Sequence, residues 1–139
     1  MNIRWNLIVN GSDLMPQSVA VLGASTDRRK YSNKAVRAYA AKGWTVYPIN
    51  PKAETIEGHK CYPSIRDLPG PVDRVSIYLP PAVTLDALPD IADAQPEDVF
   101  LNPGAESDEL VSRARELGLK TVQACSIIDI GSRSEDYRD

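Results

Sequence analysis

A chain of 139 residues in which 42% are hydrophobic is long enough to bury one core and too short for two domains of ordinary size. Its 19 acidic residues outnumber the 16 basic ones, for a formal charge of −3, which argues against a nucleic-acid or membrane-surface role because those partners select a basic face. No apolar segment is long enough to span a bilayer, the N-terminus lacks the order of a signal peptide, and Cys61 and Cys125 fit neither a disulfide framework nor a metal pair, so a cytoplasmic protein with reduced thiols is expected.

Residues 1–16 read as an N-terminal arm, in which Trp5, Leu7 and Ile8 are available to pack on the domain or on a second subunit; a homodimer and another protein partner both stay open. From Gln17 onward, short Val- and Ile-rich runs alternate with helical patterns, the signature of parallel strands joined by crossovers. Strands are predicted at 18–22, 45–49, 74–79, 98–101 and 121–124.

Between the first two strands, Ala35, Val36, Tyr39 and Ala40 recur at helical spacing and Gly43 follows as a stop, predicting a helix over 32–42. The connection from Asn50 to Arg74 is too rich in Pro and Gly for a full crossover helix; at most Ser64 caps a turn through Leu68. Leu85, Leu88, Ile91 and Ala92 again have helical spacing, but Pro89 lacks a backbone donor and should kink or interrupt that helix. In the segment 108–117, Ser107 is placed to cap, Asp108 and Glu109 suit the first turn, and Leu110, Val111, Ala114 and Leu117 should face inward. Residues 132–139 are charged and apolar-poor and should form a flexible tail.

These elements predict a single Rossmann-like α/β domain over 17–131, a doubly wound parallel five-stranded sheet flanked by helices. Such sheets bind ligands beyond the carboxyl ends of their strands, near the point where the winding reverses. The residues following the strands are therefore the candidates: Gly23, Ala24, Ser25 and Thr26, then Asn50 and Lys52, then Pro80 and Pro81, then Asn102, Pro103 and Gly104.

Gly23 is the sole glycine of the first turn, so the Gly-x-Gly-x-x-Gly fingerprint of dinucleotide sites is absent. Amides near the helix start could receive a phosphate, helped by the hydroxyls of Ser25 and Thr26, with donors from Ser32 and Asn33 and a positive rim from Arg28 and Lys30. The plainer reading is a strand-to-helix turn beside a solvated basic loop. Lys52 sits 29 residues beyond Gly23, in the region where a nicotinamide site usually carries a ribose-binding carboxylate. A lysine cannot accept those hydrogen bonds but attracts phosphate, so the ligand is expected to carry an additional one.

Six segments in order, "VAVLGAST", "VYPINPK", "GHKCYPSIRDLP", "VSIYLPP", "FLNPGAES" and "QACSIIDIG", resemble the small stand-alone CoA-binding protein family, whose fold is shared with the CoA-binding domain of the succinyl-CoA synthetase alpha subunit. The resemblance covers residues 17–131 and implies coenzyme A or an acyl-CoA as the ligand. It implies that Gly23, Ala24 and Ser25 lie beneath the CoA phosphates and that Lys52 pairs with one of them. It further implies that Pro80 and Pro81 line the adenosine side, and that Asn102, Pro103 and Gly104 face the pantetheine arm. NADP(H) or NAD(H), in a redox sensor or oxidoreductase-like protein, stays as the alternative.

No catalytic constellation is found. His59, the only histidine, reads as a surface or loop residue, the carboxylates make no metal-ligand pattern, and the expected role is non-catalytic: regulation, carriage or CoA-thiol redox chemistry. Cys125, after the fifth strand, should lie at the ligand end of the sheet, where it either meets the CoA thiol or closes the strand as a small buried residue; Cys61 has only a packing role.

Overall fold

The structure, a computed structural model, describes residues 17–138. The arm containing Trp5, Leu7 and Ile8 lies outside the described residues. In chain order the elements are β1 (Ser18–Leu22), α1 (Tyr31–Ala41), β2 (Thr45–Ile49), β3 (Thr55–Ile56), β4 (His59–Lys60), β5 (Arg74–Ile77), α2 (Pro81–Asp93), β6 (Asp98–Leu101), α3 (Asp108–Glu116), β7 (Thr121–Gln123) and α4 (Ser126–Asp129). Single 3-10 turns occur at Ile65–Asp67 and Ser134–Asp136.

Five strands pair in parallel, as the sequence predicts, and their order is β2-β1-β5-β6-β7. The order reverses between β1 and β5, so the loops leaving those strands flank the crevice where such sheets take ligands. Alternation along β1 shows the two-sided burial: Ala20 and Leu22 join a core with Leu88, Ile91 and Leu110, whereas Val19 and Val21 pack with Ala35, Val36, Tyr39 and Ile127. Helices thus cover both faces, α2 and α3 on one, α1 and α4 on the other.

The 50–74 connection holds more order than expected. Glu57 and Gly58, at φ 51° and 81°, turn a two-stranded hairpin in which His59 pairs with Ile56. The Ser64 hydroxyl then accepts the Arg66 amide at 3.2 Å, capping the predicted turn.

Two expectations are corrected. Helix α2 runs unbroken through Pro89, which sits on its exposed face. Leu117 does not face inward: α3 ends at Glu116, Leu117 is 46% exposed, and Leu119, whose amide reaches the Ala114 carbonyl at 2.9 Å, packs on the core instead. The segment after Gly131 lies against α1: Arg37 donates to the carbonyl oxygens of Tyr137 (3.1 Å) and Arg138 (2.7 Å). The Ser107 cap is as predicted, accepting the Leu110 amide at 3.1 Å, with acidic residues in the first turn of α3 and basic ones in its last.

Candidate functional site

Gly23 leaves β1 with φ +84°, a conformation that L side chains rarely adopt. A Cβ there would also lie 3.0 Å from Leu79 Cδ2 and 3.2 Å from the Tyr78 carbonyl carbon, so glycine lets the β1 turn press against the chain leaving β5. Beyond it the amides of Ala24, Ser25 and Thr26 find no acceptor among the described residues. Backbone donors left without partners at a strand-to-helix turn suit an anion.

The side chains around this turn hold the backbone. Ser25 Oγ accepts the Asp27 amide at 3.0 Å. Asn33, fully buried, donates to the Ser25 carbonyl at 2.9 Å and to Glu57 at 3.1 Å, and its Oδ1 accepts from Arg37 Nε at 2.8 Å. It therefore braces the turn, and Ser32 beside it is likewise buried. Of the basic run, Arg28 pairs with Glu57 at 3.4 Å and Arg29 with Asp27 at 3.1 Å; the Arg29 bond holds the Asp27 carboxyl below its ordinary range. Arg28 thus has an acidic neighbour, and the exposed Thr26 stands at the rim.

Asn50 ends β2 as a second brace. Its Nδ2 donates to the Ala24 carbonyl at 2.9 Å, while its Oδ1 accepts the Lys52 amide at 2.7 Å and the Ala53 amide at 3.1 Å. One side chain thus ties the β1 turn to the loop that presents Lys52, whose side chain is exposed. Pro80 caps α2 and Pro81 is its first residue, where a missing amide costs nothing.

The far half of the site is a cleft of about 630 Å³ whose walls include Tyr31, Tyr78, Asn102, Pro103, Cys125 and Ile128. Asn102 is buried and fully engaged: it donates to Ser76 Oγ and to the Ile77 carbonyl, each at 2.9 Å, and accepts the Ser126 amide at 2.8 Å. Pro103 and Gly104 are exposed, Gly104 at φ +93° with its amide on Glu106 at 3.0 Å. Cys125 caps α4 and opens onto the cleft; Cys61 is buried, and burial pushes its thiol pKa up.

Tyr78 bears on the same cleft, and burial pushes its phenol pKa well above the ordinary value. Ser126 and Ser76 lie near enough to pull it partway back, but their hydroxyls bond each other at 2.8 Å. Tyr78 Oη is the one buried side-chain polar atom without a hydrogen-bond partner among the described residues. The sequence reading did not single out Tyr31, Tyr78 or Ile128, nor residues 132–135, which complete the wall.

The model of a family described as a CoA binding domain matches residues 17–131. The chain belongs to the CoA-binding domain family. Coenzyme A is the ligand of that family, in agreement with the sequence resemblance. The chain is 32% identical over 117 residues to acetate–CoA ligase [ADP-forming] I of Archaeoglobus fulgidus, a match covering 77% of this chain and 17% of the ligase. It is 38% identical over 68 residues to the alpha subunit of acetate–CoA ligase [ADP-forming] II of Pyrococcus furiosus, covering 47% of this chain and 14% of that subunit. It therefore spans less than a fifth of these curated relatives. Among solved structures, a conserved hypothetical protein from Pyrococcus furiosus superposes with a TM-score of 0.73 at 31% identity, covering 83% of this chain and 99% of that one. This CoA-binding domain also has, among its described residues, no helix long and apolar enough to cross a membrane and no group of three His, Cys, Asp or Glu placed to hold a metal ion.

Proposed function

We propose that the chain binds coenzyme A, or an acyl-CoA, across the carboxyl ends of its strands and catalyses no reaction by itself, serving as a carrier, a regulatory module or a thiol redox module. The diphosphate rests on the amides of residues 24–26, the 3′-phosphate meets Lys52, and the adenosine lies toward Pro80 and Pro81. The pantetheine arm passes Asn102, Pro103 and Gly104 and brings its thiol into the cleft at Cys125. The observation that carries this reading is the pairing made by Asn50, which fixes the unpartnered amides and Lys52 as one unit. Main-chain donors and a flexible ammonium together suit a ligand with phosphates at two separate points.

Calorimetric titration with CoA, 3′-dephospho-CoA, NADPH and NADH tests it. CoA is expected to bind tightest, and Lys52→Ala to weaken CoA roughly tenfold, the scale of one charge-assisted hydrogen bond, while leaving 3′-dephospho-CoA little changed. Binding of NADPH but not CoA would overturn the reading in favour of the dinucleotide.

The position of Cys125 favours the redox role among the three. Its thiolate would attack CoA disulfide, forming a Cys125–CoA mixed disulfide and releasing one CoA thiol. Mass spectrometry after exposure to CoA disulfide should show one CoA added at Cys125; an unmodified thiol rules the redox role out.

A further inference from the structure

Arg37, half-buried on α1, gathers two parts of the chain that sequence keeps about a hundred residues apart. Toward the β1 turn its Nη2 donates to the Arg28 carbonyl at 2.7 Å and its Nε to Asn33 Oδ1 at 2.8 Å, and Asn33 in turn holds the Ser25 carbonyl. Toward the C-terminus it holds the Tyr137 and Arg138 carbonyls, with its guanidinium 5.7 Å from the Tyr137 ring centre. The chain between Gly131 and these anchor points supplies Ser132, Arg133, Ser134 and Glu135 to the wall of the cleft.

We propose that residues 132–138 form a strap over the arm of the bound ligand and that Arg37 is the positioning residue that fastens it. The inference rests on the CoA reading above. It adds that Arg37 retains the arm through its hold on the Tyr137 and Arg138 carbonyls, while the β1 turn keeps the bond from Asn33 to the Ser25 carbonyl whether or not Arg37 is present. Four of its five N–H donors are spent on carbonyl and amide oxygens of these two segments, so the strap cannot lift without leaving charge-assisted bonds unmade. Adenosine 3′,5′-bisphosphate, which shares the phosphorylated nucleoside but lacks the arm, should be indifferent to the strap.

Dissociation of CoA and of adenosine 3′,5′-bisphosphate is followed by stopped-flow displacement from wild type, Arg37→Ala and Arg37→Lys, with melting curves to verify folding. Arg37→Ala is expected to release CoA roughly tenfold faster, the effect of losing about one charge-assisted hydrogen bond, and to change release of the bisphosphate less than about twofold. Arg37→Lys, which keeps the charge and loses the fork, should fall between. Hydrogen exchange of residues 132–138 should slow when CoA binds wild type and not when it binds Arg37→Ala. Unchanged CoA release, equal acceleration of both ligands, or strap amides insensitive to bound CoA would overturn the strap while leaving the CoA reading standing. Failure of wild type to bind either ligand would remove the reading beneath it.

Discussion

Gly23→Ala is the substitution whose cost the structure defines best. The backbone there has φ +84°, and moving a residue with a Cβ into that region costs about 1–2 kcal/mol. The added methyl then meets Leu79 Cδ2 at 3.0 Å and the Tyr78 carbonyl carbon at 3.2 Å. Leu79 can rotate away, but Tyr78 backbone continues β5 through its amide bond to the Leu22 carbonyl at 3.0 Å, so relief requires the β1 turn to move. Overpacking of this kind adds about 1–2 kcal/mol, for a total of about 2–4 kcal/mol. Gly43 supplies the control: its φ is +86°, and a methyl added there would meet nothing within 4 Å, so Gly43→Ala should show only the conformational part. Urea denaturation of both variants separates the two contributions, and titration with CoA reads the turn itself. Gly23→Ala should lose roughly a further factor of ten in folding equilibrium relative to Gly43→Ala, and at least about tenfold in CoA affinity, whereas Gly43→Ala should bind as wild type. Equal stability and equal CoA affinity in the two variants would refute the idea that close approach to β5 fixes this glycine.

Asn102→Ala should destabilise the fold by about 2–3 kcal/mol in urea denaturation, because it strands the Ser126 amide in a buried site and removes the bonds to Ser76 Oγ and the Ile77 carbonyl; a cost under about 1 kcal/mol would mean that water replaces the side chain. Tyr78 has a folded-state pKa raised by burial, so the unfolded chain loses its phenolic proton first: the associated stability is intact below the unfolded value of about 10 and is lost as pH rises above it. Thermal melts from about pH 9 to 11.5 should therefore fall less steeply in Tyr78→Phe than in wild type. Ellman's reagent should label Cys125 quickly and Cys61 only on unfolding, with CoA slowing the first; two equally fast thiols would refute the assignment of Cys125 to the cleft. Pro89→Ala should stabilise by about 1–2 kcal/mol, read as a raised melting temperature, since it restores an amide inside α2 on an exposed face.

The sheet was legible because its central strands are short apolar runs buried on both faces, as Val19, Ala20 and Val21 illustrate in β1. Local chemistry was equally readable where it acts within a few residues: the Ser107 cap, the Ser64 turn and the glycine stop after α1 depend on neighbours alone. What sequence hides is the destination of long-range hydrogen bonds. Residues 132–138 look like a solvated tail because they are charged, yet they are held by backbone carbonyls that any sequence would offer, and the donor, Arg37, lies a hundred positions away. Pro89 misled for the opposite reason: the rule against proline concerns one missing hydrogen bond, and burial of Leu88 and Ile91 along the same helix outweighs it.

The asparagines show where residue type stops and geometry begins. Asn33, in the first turn of α1, and Asn50 and Asn102, in loops, all stand at the ligand end of the sheet, where a polar residue reads as a ligand contact. Each binds main chain: Asn33 the Ser25 carbonyl, Asn50 the Ala24 carbonyl, Asn102 the Ile77 carbonyl and the Ser126 amide. The first two occupy carbonyl oxygens of the β1 turn while leaving its amides without acceptors, so the turn presents donors with few competing acceptors. A site that recognises phosphate with backbone amides depends on such braces, because an unbraced loop would satisfy its own donors by folding onto its own carbonyls.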